Sequence, residues 1–354
     1  MSEATEPARV AVVGAGAWGT TLAVLVAQQE PVALLVRSPE QAEQLAKDRK
    51  NIRRLPGIEF PANVQVTADA SQLFGATDLV IFAVPSAHLR ASVGHVAQWI
   101  PEAADILSVV KGLERETLLR MTEVIADAGV IDPRRLAALS GPNLAHEIAR
   151  GLPASAVVAS LDPAVGERIV ARLSRRAFRL YTNPDVIGVE LAGALKNIVA
   201  IAAGAADGLG FGDNGKAGLI TRGIAEMTRL GIAAGANPLT FAGLAGIGDV
   251  VATCGTKLSR NHQLGDLLAS GRKWADVEGV LQGVAEGAYT VDAAIALAER
   301  LGVEMPIARE VHNALFEGKS VQRCLIDLLA RESKDELADF GPWADRLRRP
   351  QSEQ

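Results

Sequence analysis

Only two cysteines, Cys254 and Cys324, occur in the 354 residues. That excludes a disulfide framework and a cysteine-built zinc site. Histidine is also sparse. His88, His95, His146, His262 and His312 contain no H-x-x-x-H pair. His88 and His95 can share a helix face, but two ligands do not close a metal shell, so no metal is expected. The N-terminus, MSEATEPARV, lacks a basic start followed by an apolar run and does not read as a signal peptide. The most apolar stretch, Leu191–Ala206, is interrupted by Lys196 and Asn197 and is too short to span a bilayer. A formal net charge of −5 is too mild for a nucleic-acid binder. Neither a G-x-S-x-G elbow nor a P-loop is present. These absences together predict a cytoplasmic protein with a small-molecule partner.

What the chain does have is length and apolar content. Hydrophobic residues make up 49% of it, enough for a sizeable core, and 354 residues predict two domains sharing a cleft. Short apolar runs at Arg9–Val13, Pro31–Val36, Asp78–Val84, Asp105–Val110, Ala154–Ala159 and Phe178–Tyr181 read as strands. Helical spacing separates several of them, at Trp18–Gln28, Pro39–Lys47, Thr117–Ala128 and Pro163–Leu173. This alternation predicts an α/β domain: a Rossmann-type, mostly parallel sheet covered on both faces. The local structure of Arg49–Val66 and Leu136–Gly151 is not legible. After Asn183-Pro184 the pattern becomes helical with Gly-rich turns. The expected organisation is a tail over 1–7, a dinucleotide-binding domain over 8–184, an all-α substrate-binding domain over 185–338, and a polar tail over 339–354.

Gly14-Ala15-Gly16-Ala17-Trp18-Gly19 is a G-x-G-x-x-G that follows a strand pattern and opens a helix pattern. Gly14 permits the tight turn, Gly16 the approach of a pyrophosphate, and Gly19 close helix–strand packing, with the helix N-terminus facing the phosphates. The second strand pattern ends in Arg37 without an acidic residue for a ribose 2′-hydroxyl. An Arg there accepts a 2′-phosphate, which favours NADP or tolerance of both NADP and NAD. The plainer alternative is a solvated Arg, with Glu40 serving the ribose. Strand ends at Val84-Pro85-Ser86 and Val110-Lys111-Gly112 should face the same crevice. That makes Lys111 a candidate site residue, or else an ordinary surface lysine after a strand.

Between Glu190 and Asp207 the only charged residue is Lys196, in a helix apolar on nearly every side. Such a lysine is paired or sits at a cleft, where burial suits it to exchange a proton near neutral pH. Glu190 is six residues away and does not share its face. Asn197 beside it is a cleft hydrogen-bonder or a buried polar residue. Further on, Ser259 reads as a helix N-cap, so that the N–H groups of Arg260 and Asn261 and the Arg260 guanidinium form an anion cradle for a phosphomonoester. A plain capped helix carrying a surface Arg explains the same residues. Asp249 is a site residue or a second N-cap. Gly204–Gly218 is a closing loop or a helix break.

The segments GAGAWGTTLA, AVPSAHLR, SVVKGLE, LSGPNLAHEIARGLPASAVVAS, VELAGALKNIVAIAAGAADGLGFGDNGKAGLITRGIAEM, TFAGLAGIGDVVATC and LSRNHQLG resemble the bacterial-type NAD(P)-dependent glycerol-3-phosphate dehydrogenases. The resemblance runs from Gly14 to about Glu336, and the long central block is its most specific part. It implies a Rossmann domain followed by a helical substrate domain, with Lys196 as catalytic acid/base and Lys111 touching both cofactor and substrate. It places Gly141 and Asn143 on the substrate and Ala145 by the cofactor through its backbone. Asp249, Ser259, Arg260 and Asn261 would hold the glycerol phosphate, Arg260 also nearing the nucleotide. Val284 and Glu286 match a second cofactor contact. Arg37-Ser38-Pro39 departs from the more basic run of relatives, and residues past Leu337 extend beyond the family's usual end. The implied reaction is reversible hydride transfer between NAD(P)H and dihydroxyacetone phosphate, giving sn-glycerol 3-phosphate for glycerophospholipid synthesis. A homodimer is a candidate assembly. The rival readings are a 3-hydroxyacid or 6-phosphogluconate type dehydrogenase, with a different anion clamp, and a nucleotide-binding sensor without turnover.

Overall fold

The Val-, Leu- and Ile-rich runs form a sheet in the computed structural model, which describes residues 8–72, 77–279, 281, 284–332 and 336. Its strands are β1 (Val10–Val13), β2 (Val32–Leu35), β3 (Val64–Thr67), β4 (Leu79–Phe82), β5 (Asp105–Ser108), β6 (Leu136–Ser140), β7 (Ala154–Ser160) and β8 (Phe178–Asn183). They lie in the order β3-β2-β1-β4-β5-β6-β7-β8. The first six are parallel neighbours; β7 runs antiparallel to β6, and β8 parallel to β7. The chain reverses its direction of strand addition between β1 and β4, the switch point at which such sheets bind ligands.

Helices α1 (Ala17–Val26), α2 (Pro39–Asp48), α3 (Leu89–Val96), α4 (Met121–Gly129), α5 (Ala145–Ala149) and α6 (Pro163–Leu173) intervene between strands. Apolar clusters on both faces bury the central strands completely. That explains their near-continuous apolar sequences. The two illegible stretches hold β3, β6 and α5. The predicted helix over Thr117–Ala128 starts later, at Met121, because Leu118 adopts a left-handed φ of 62° and Arg120 bridges back to Leu113.

After β8 the described chain is helical. α7 (Val186–Gly208) is followed by α8 (Gly212–Ala233), α9 (Pro238–Phe241), α10 (Asp249–Cys254), α11 (Arg260–Ala269), α12 (Trp274–Val277), α13 (Glu286–Leu301), α14 (Pro306–Phe316) and α15 (Val321–Leu329). The centre is α7, capped by Asp185, whose carboxylate accepts from Gly188 N at 2.9 Å. By length and composition α7 could cross a membrane, but 94% of its most apolar window is buried inside the protein. It packs with α8, α11 and α13 and touches the sheet at Ala138, Val157 and Ala159. A Cβ on Gly265 would meet Ile201 O at 1.9 Å, and one on Gly204 would meet His262 O at 2.0 Å. The backbones of α7 and α11 therefore touch, which fixes the start of α11 relative to Lys196.

Two buried glutamates tie this unit together. Glu190 of α7 accepts from Thr122 N at 2.8 Å, Thr122 Oγ1 at 2.6 Å and Arg120 at 2.5 Å, closing the first turn of α4. Glu226 of α8 accepts from Ile307 N and Ala308 N, each at 2.9 Å, and does the same for α14. Gly204–Gly218 holds the last turn of α7, a three-residue turn over 209–211 and the start of α8, so it is a helix break and not a closing loop. Tails 1–7 and 339–354, and the domain end at 338, lie outside the described residues.

Candidate active site

The glycine-rich turn joins β1 to α1. Gly14 has φ +110°, and a Cβ there would meet Ala83 O at 2.7 Å. Gly19 lies so close to Gly14 O that a Cβ would meet it at 2.0 Å. Above Gly16 there is space, the atom nearest to a Cβ position being Ala83 O at 3.9 Å. Gly16 caps α1 without a side chain, and the first turn holds no acidic residue. Its N–H groups are thus free for an anion, as a pyrophosphate requires. Asn51 pins the following loop over this turn, donating to Ala15 O at 3.0 Å and Thr20 Oγ1 at 2.9 Å. The Trp18 ring packs edge-on against Phe178, centroids 6.0 Å apart.

Arg37 follows β2 and is exposed, its backbone N–H meeting Gln41 Oε1 at 3.4 Å. Glu40 is exposed as well, and hydrogen bonding to Ser38 holds its carboxyl below the usual range. Ala145 begins α5 beside α1, its carbonyl accepting from Thr21 Oγ1 at 3.1 Å. Glu286, at the first turn of α13, accepts from Ser86 Oγ at 2.6 Å and so bridges the end of β4 to the helical unit. Burial raises its carboxyl pKa against the pull of Ser86 and Arg260. Val284 stands just before α13.

Beyond the carboxyl ends of the strands, Lys111, Lys196 and Asp249 converge. A π-helical turn over Leu244–Gly248 delivers Asp249 to the first turn of α10, with Gly248 rather than Asp249 as the N-cap. Such turns recur at functional sites. Asp249 Oδ2 accepts from Lys111 Nζ, and Oδ1 lies 3.0 Å from Lys196 Nζ. Lys111 also donates to Gly141 O at 3.0 Å. Lys196 donates to Thr253 Oγ1 at 2.7 Å, and that hydroxyl donates to Asp249 Oδ1 at 3.1 Å. All three charged side chains are largely shielded from solvent, so one carboxylate neutralises one of two ammonium groups and the cluster keeps a net positive charge. Burial pushes Lys111 down to about 8; Asp249 resists this, and the charge of Lys196 adds to it. Burial opposes ionisation of Asp249, but the two lysines overcome it and hold its carboxyl below the usual range.

Nearby polar groups lack partners among the described residues. Both side-chain polar atoms of Asn143 are buried without a hydrogen bond, as is Ser140 Oγ. Gly141, at φ +135°, turns this segment past β7, where a Cβ would meet Ala156 Cα at 3.0 Å. Buried amides are normally satisfied, and that of Asn143 has no partner within the described protein. Ser259 is the N-cap of α11, accepting from His262 N at 3.4 Å. Asn261 spends its side chain internally. It donates to Asn197 Oδ1 at 2.8 Å and accepts from Gly287 N at 3.0 Å. The Arg260 side chain is exposed at the same helix start.

Thr253 went unremarked in the sequence although it lies one helical turn, i+4, from Asp249. Asn51 carried no such local signal. Glu190 is committed to Arg120 and Thr122, which leaves Lys196 to Asp249. Among the described residues no group of three metal-ligating side chains gathers.

A switch-point sheet with a glycine-rich turn, and lysines held by a carboxylate beyond the strand ends, define a nicotinamide-dependent dehydrogenase. The sequence signatures of the NAD-dependent glycerol-3-phosphate dehydrogenase N-terminus and C-terminus match residues 9–165 and 185–326. The chain is 44% identical over 334 residues to glycerol-3-phosphate dehydrogenase (NAD(P)+) of Streptomyces avermitilis, covering 93% of this chain and 98% of that one. It is likewise 44% identical over 330 residues to that of Chlorobium limicola, covering 93% and 99%. The crystal structure of glycerol-3-phosphate dehydrogenase from Coxiella burnetii superposes with a TM-score of 0.87 at 35% identity, covering 92% of this chain and 99% of that one. The chain belongs to the NAD(P)-dependent glycerol-3-phosphate dehydrogenase family. It is an oxidoreductase that acts on a small-molecule substrate with NAD or NADP. The hydroxyacid-dehydrogenase and non-catalytic sensor readings are thereby set aside.

Proposed function

We propose that the chain reduces dihydroxyacetone phosphate to sn-glycerol 3-phosphate, reversibly, with Lys196 as acid/base. The observation that carries this is Asp249 held between Lys111 and Lys196, next to the segment that bears the unpaired Asn143 amide. The coenzyme, when bound, supplies or takes up the hydride. Gly14, Gly16, Gly19 and the backbone at Trp18 hold its pyrophosphate, with Ala145, Val284 and Glu286 lining the rest of its groove.

During reduction negative charge grows on the C2 oxygen of the substrate. Lys196 Nζ donates a proton to that oxygen, and Thr253 and Asp249 orient the ammonium. The Lys111 ammonium stabilises the same charge, at a site already net positive. Asn143 and the Gly141 segment position the carbonyl. The phosphate sits at the start of α11, on the N–H groups of Arg260 and Asn261 and on the Arg260 guanidinium, with Ser259 and Asn197 holding the cradle in shape. Binding energy at this remote group fixes the reacting carbon.

The division into a dinucleotide-binding domain over 8–184 and a substrate domain over 185–338 accords with this assignment of parts. Exposed Arg37, without a carboxylate on β2, favours NADPH. The reading extends to a cytoplasmic homodimer that supplies glycerophospholipid synthesis. The test is oxidation of NADPH and NADH with dihydroxyacetone phosphate beside other small ketones. Turnover confined to the phosphorylated ketone supports the reading, and equal turnover of an unphosphorylated one contradicts it.

A further inference from the structure

A cavity of about 380 Å³ lies behind the substrate-facing segment, outside the catalytic cluster. Leu144, Ile148, Pro153 and Ala177 give it an apolar floor, and Arg176 and Arg179 line it with positive charge. Its volume falls within the range of small-ligand sites. Arg179 belongs to β8, the last strand of the sheet, and its guanidinium stacks 5.2 Å from the centre of the Tyr181 ring. Neither arginine has a hydrogen-bond or carboxylate partner among the described residues, and both side chains are exposed. Among the described residues most other arginines have a side-chain partner, for example Arg172 with Glu30 and Arg168 with Asp105. Glu147 is the one acid in the lining, so the cavity carries net positive charge.

The other face of the same segment meets the active site. Lys111 holds Gly141 O, Thr21 holds Ala145 O, and Asn143 lies between them with its amide unpaired. Pro142 and Leu144, the two neighbours of Asn143, line the cavity.

We propose that this cavity is an effector site for an amphiphilic anion, a short acyl chain ending in a carboxylate or phosphate. The chain lies on the apolar floor and the head group pairs with Arg176 and Arg179. An occupant presses on Pro142 and Leu144 and so changes how Asn143 meets the substrate. Binding at the two faces is thus coupled, and the coupling is reciprocal.

The test titrates octanoate into the full-length enzyme filled with NADPH and glycerol 3-phosphate, a pair that does not turn over. Inorganic phosphate and octanol serve as probes of head group and tail alone. One octanoate per chain should bind, with the two partial probes at least tenfold weaker. Octanoate should change KM for dihydroxyacetone phosphate at least threefold. Arg176→Ala/Arg179→Ala removes exposed, unpartnered side chains and should leave basal kinetics unchanged while weakening octanoate at least tenfold. Ala177→Leu, which fills the cavity and spares both arginines, should weaken it as well. Absence of saturable binding at millimolar octanoate would overturn the proposal. So would binding that the double variant retains in full, binding that NADPH and glycerol 3-phosphate abolish, or binding that leaves KM unmoved.

Discussion

Replacing Asp249 by Asn removes the single carboxylate between two lysines while keeping the side chain's size. In the wild type Oδ1 lies 3.0 Å from Lys196 Nζ, and Lys111 Nζ donates to Oδ2. At an effective dielectric of about 20, unit charges about 4 Å apart interact by roughly 4 kcal/mol, and one pKa unit is about 1.4 kcal/mol. Water entry and relaxation reduce the shift, so Lys111 should lose about 1–2 units in the variant. It starts at about 8, already lowered by burial and by Lys196. The sign is fixed by chemistry: the ammonium, not the amine, stabilises the developing oxyanion, so activity falls as pH rises through this pKa. The assay is the pH dependence of kcat/KM for dihydroxyacetone phosphate reduction at saturating NADPH. The wild-type alkaline limb should fall near pH 8. The limb of Asp249→Asn should fall at about pH 6–7, with kcat down by about 10²-fold or more because Lys196 has lost its orienting partner. An unshifted limb with kcat within about a factor of ten of wild type would refute the role given to Asp249.

Lys196→Met should bind NADPH with near-normal affinity, read by the fluorescence of the bound coenzyme, and lose about 10²-fold or more in kcat; retention of a tenth of wild-type turnover would remove Lys196 from the acid/base role. Arg37→Asp should weaken NADPH and spare or improve NADH, read as the ratio of their KM values; an unchanged ratio would show that Arg37 does not reach the 2′-position. Burial raises Glu226 to about 7, so between 4.5 and that value the folded protein holds a proton that the unfolded chain lacks. Its contribution to stability is complete below pH 4.5 and is lost as pH rises through about 7. That loss is on the order of 3 kcal/mol. Glu226→Gln cannot titrate, so its Tm relative to wild type should rise across that window; a pH-independent Tm difference would contradict the assignment.

The buried strands were legible because both faces are covered, so Val, Leu and Ile run without interruption. β3 was not, since only Val64 of its four residues is buried at the edge of the sheet. β6, with the sequence LAALS, lacks the β-branched residues that mark a strand. In the site, Lys196 stood out as the lone charge of an apolar helix, a purely local signal. What it pairs with was not local. Asp249 reaches Lys111 across 138 positions of sequence, and Glu190 reaches Arg120 across 70. Such pairings are set by how α7 and α10 pack on the sheet. For the same reason the internal use of the Asn261 side chain, on Asn197 and Gly287, could not be read from its place after a helix cap.

The central claim is that the start of α11 holds a phosphate while Lys196 serves the carbonyl, and Arg260→Ala tests it most directly. Kinetics with dihydroxyacetone phosphate should be set beside phosphate-free dihydroxyacetone. Losing a charge-assisted contact costs roughly 1.5–3 kcal/mol, about ten- to a hundredfold. KM for dihydroxyacetone phosphate should rise by that factor and kcat should fall, because remote binding positions the carbonyl. Activity toward dihydroxyacetone should fall far less, and phosphite should rescue that substrate with the wild type but not with the variant. An equal loss with both substrates would contradict the claim and assign Arg260 to the nucleotide or to the fold.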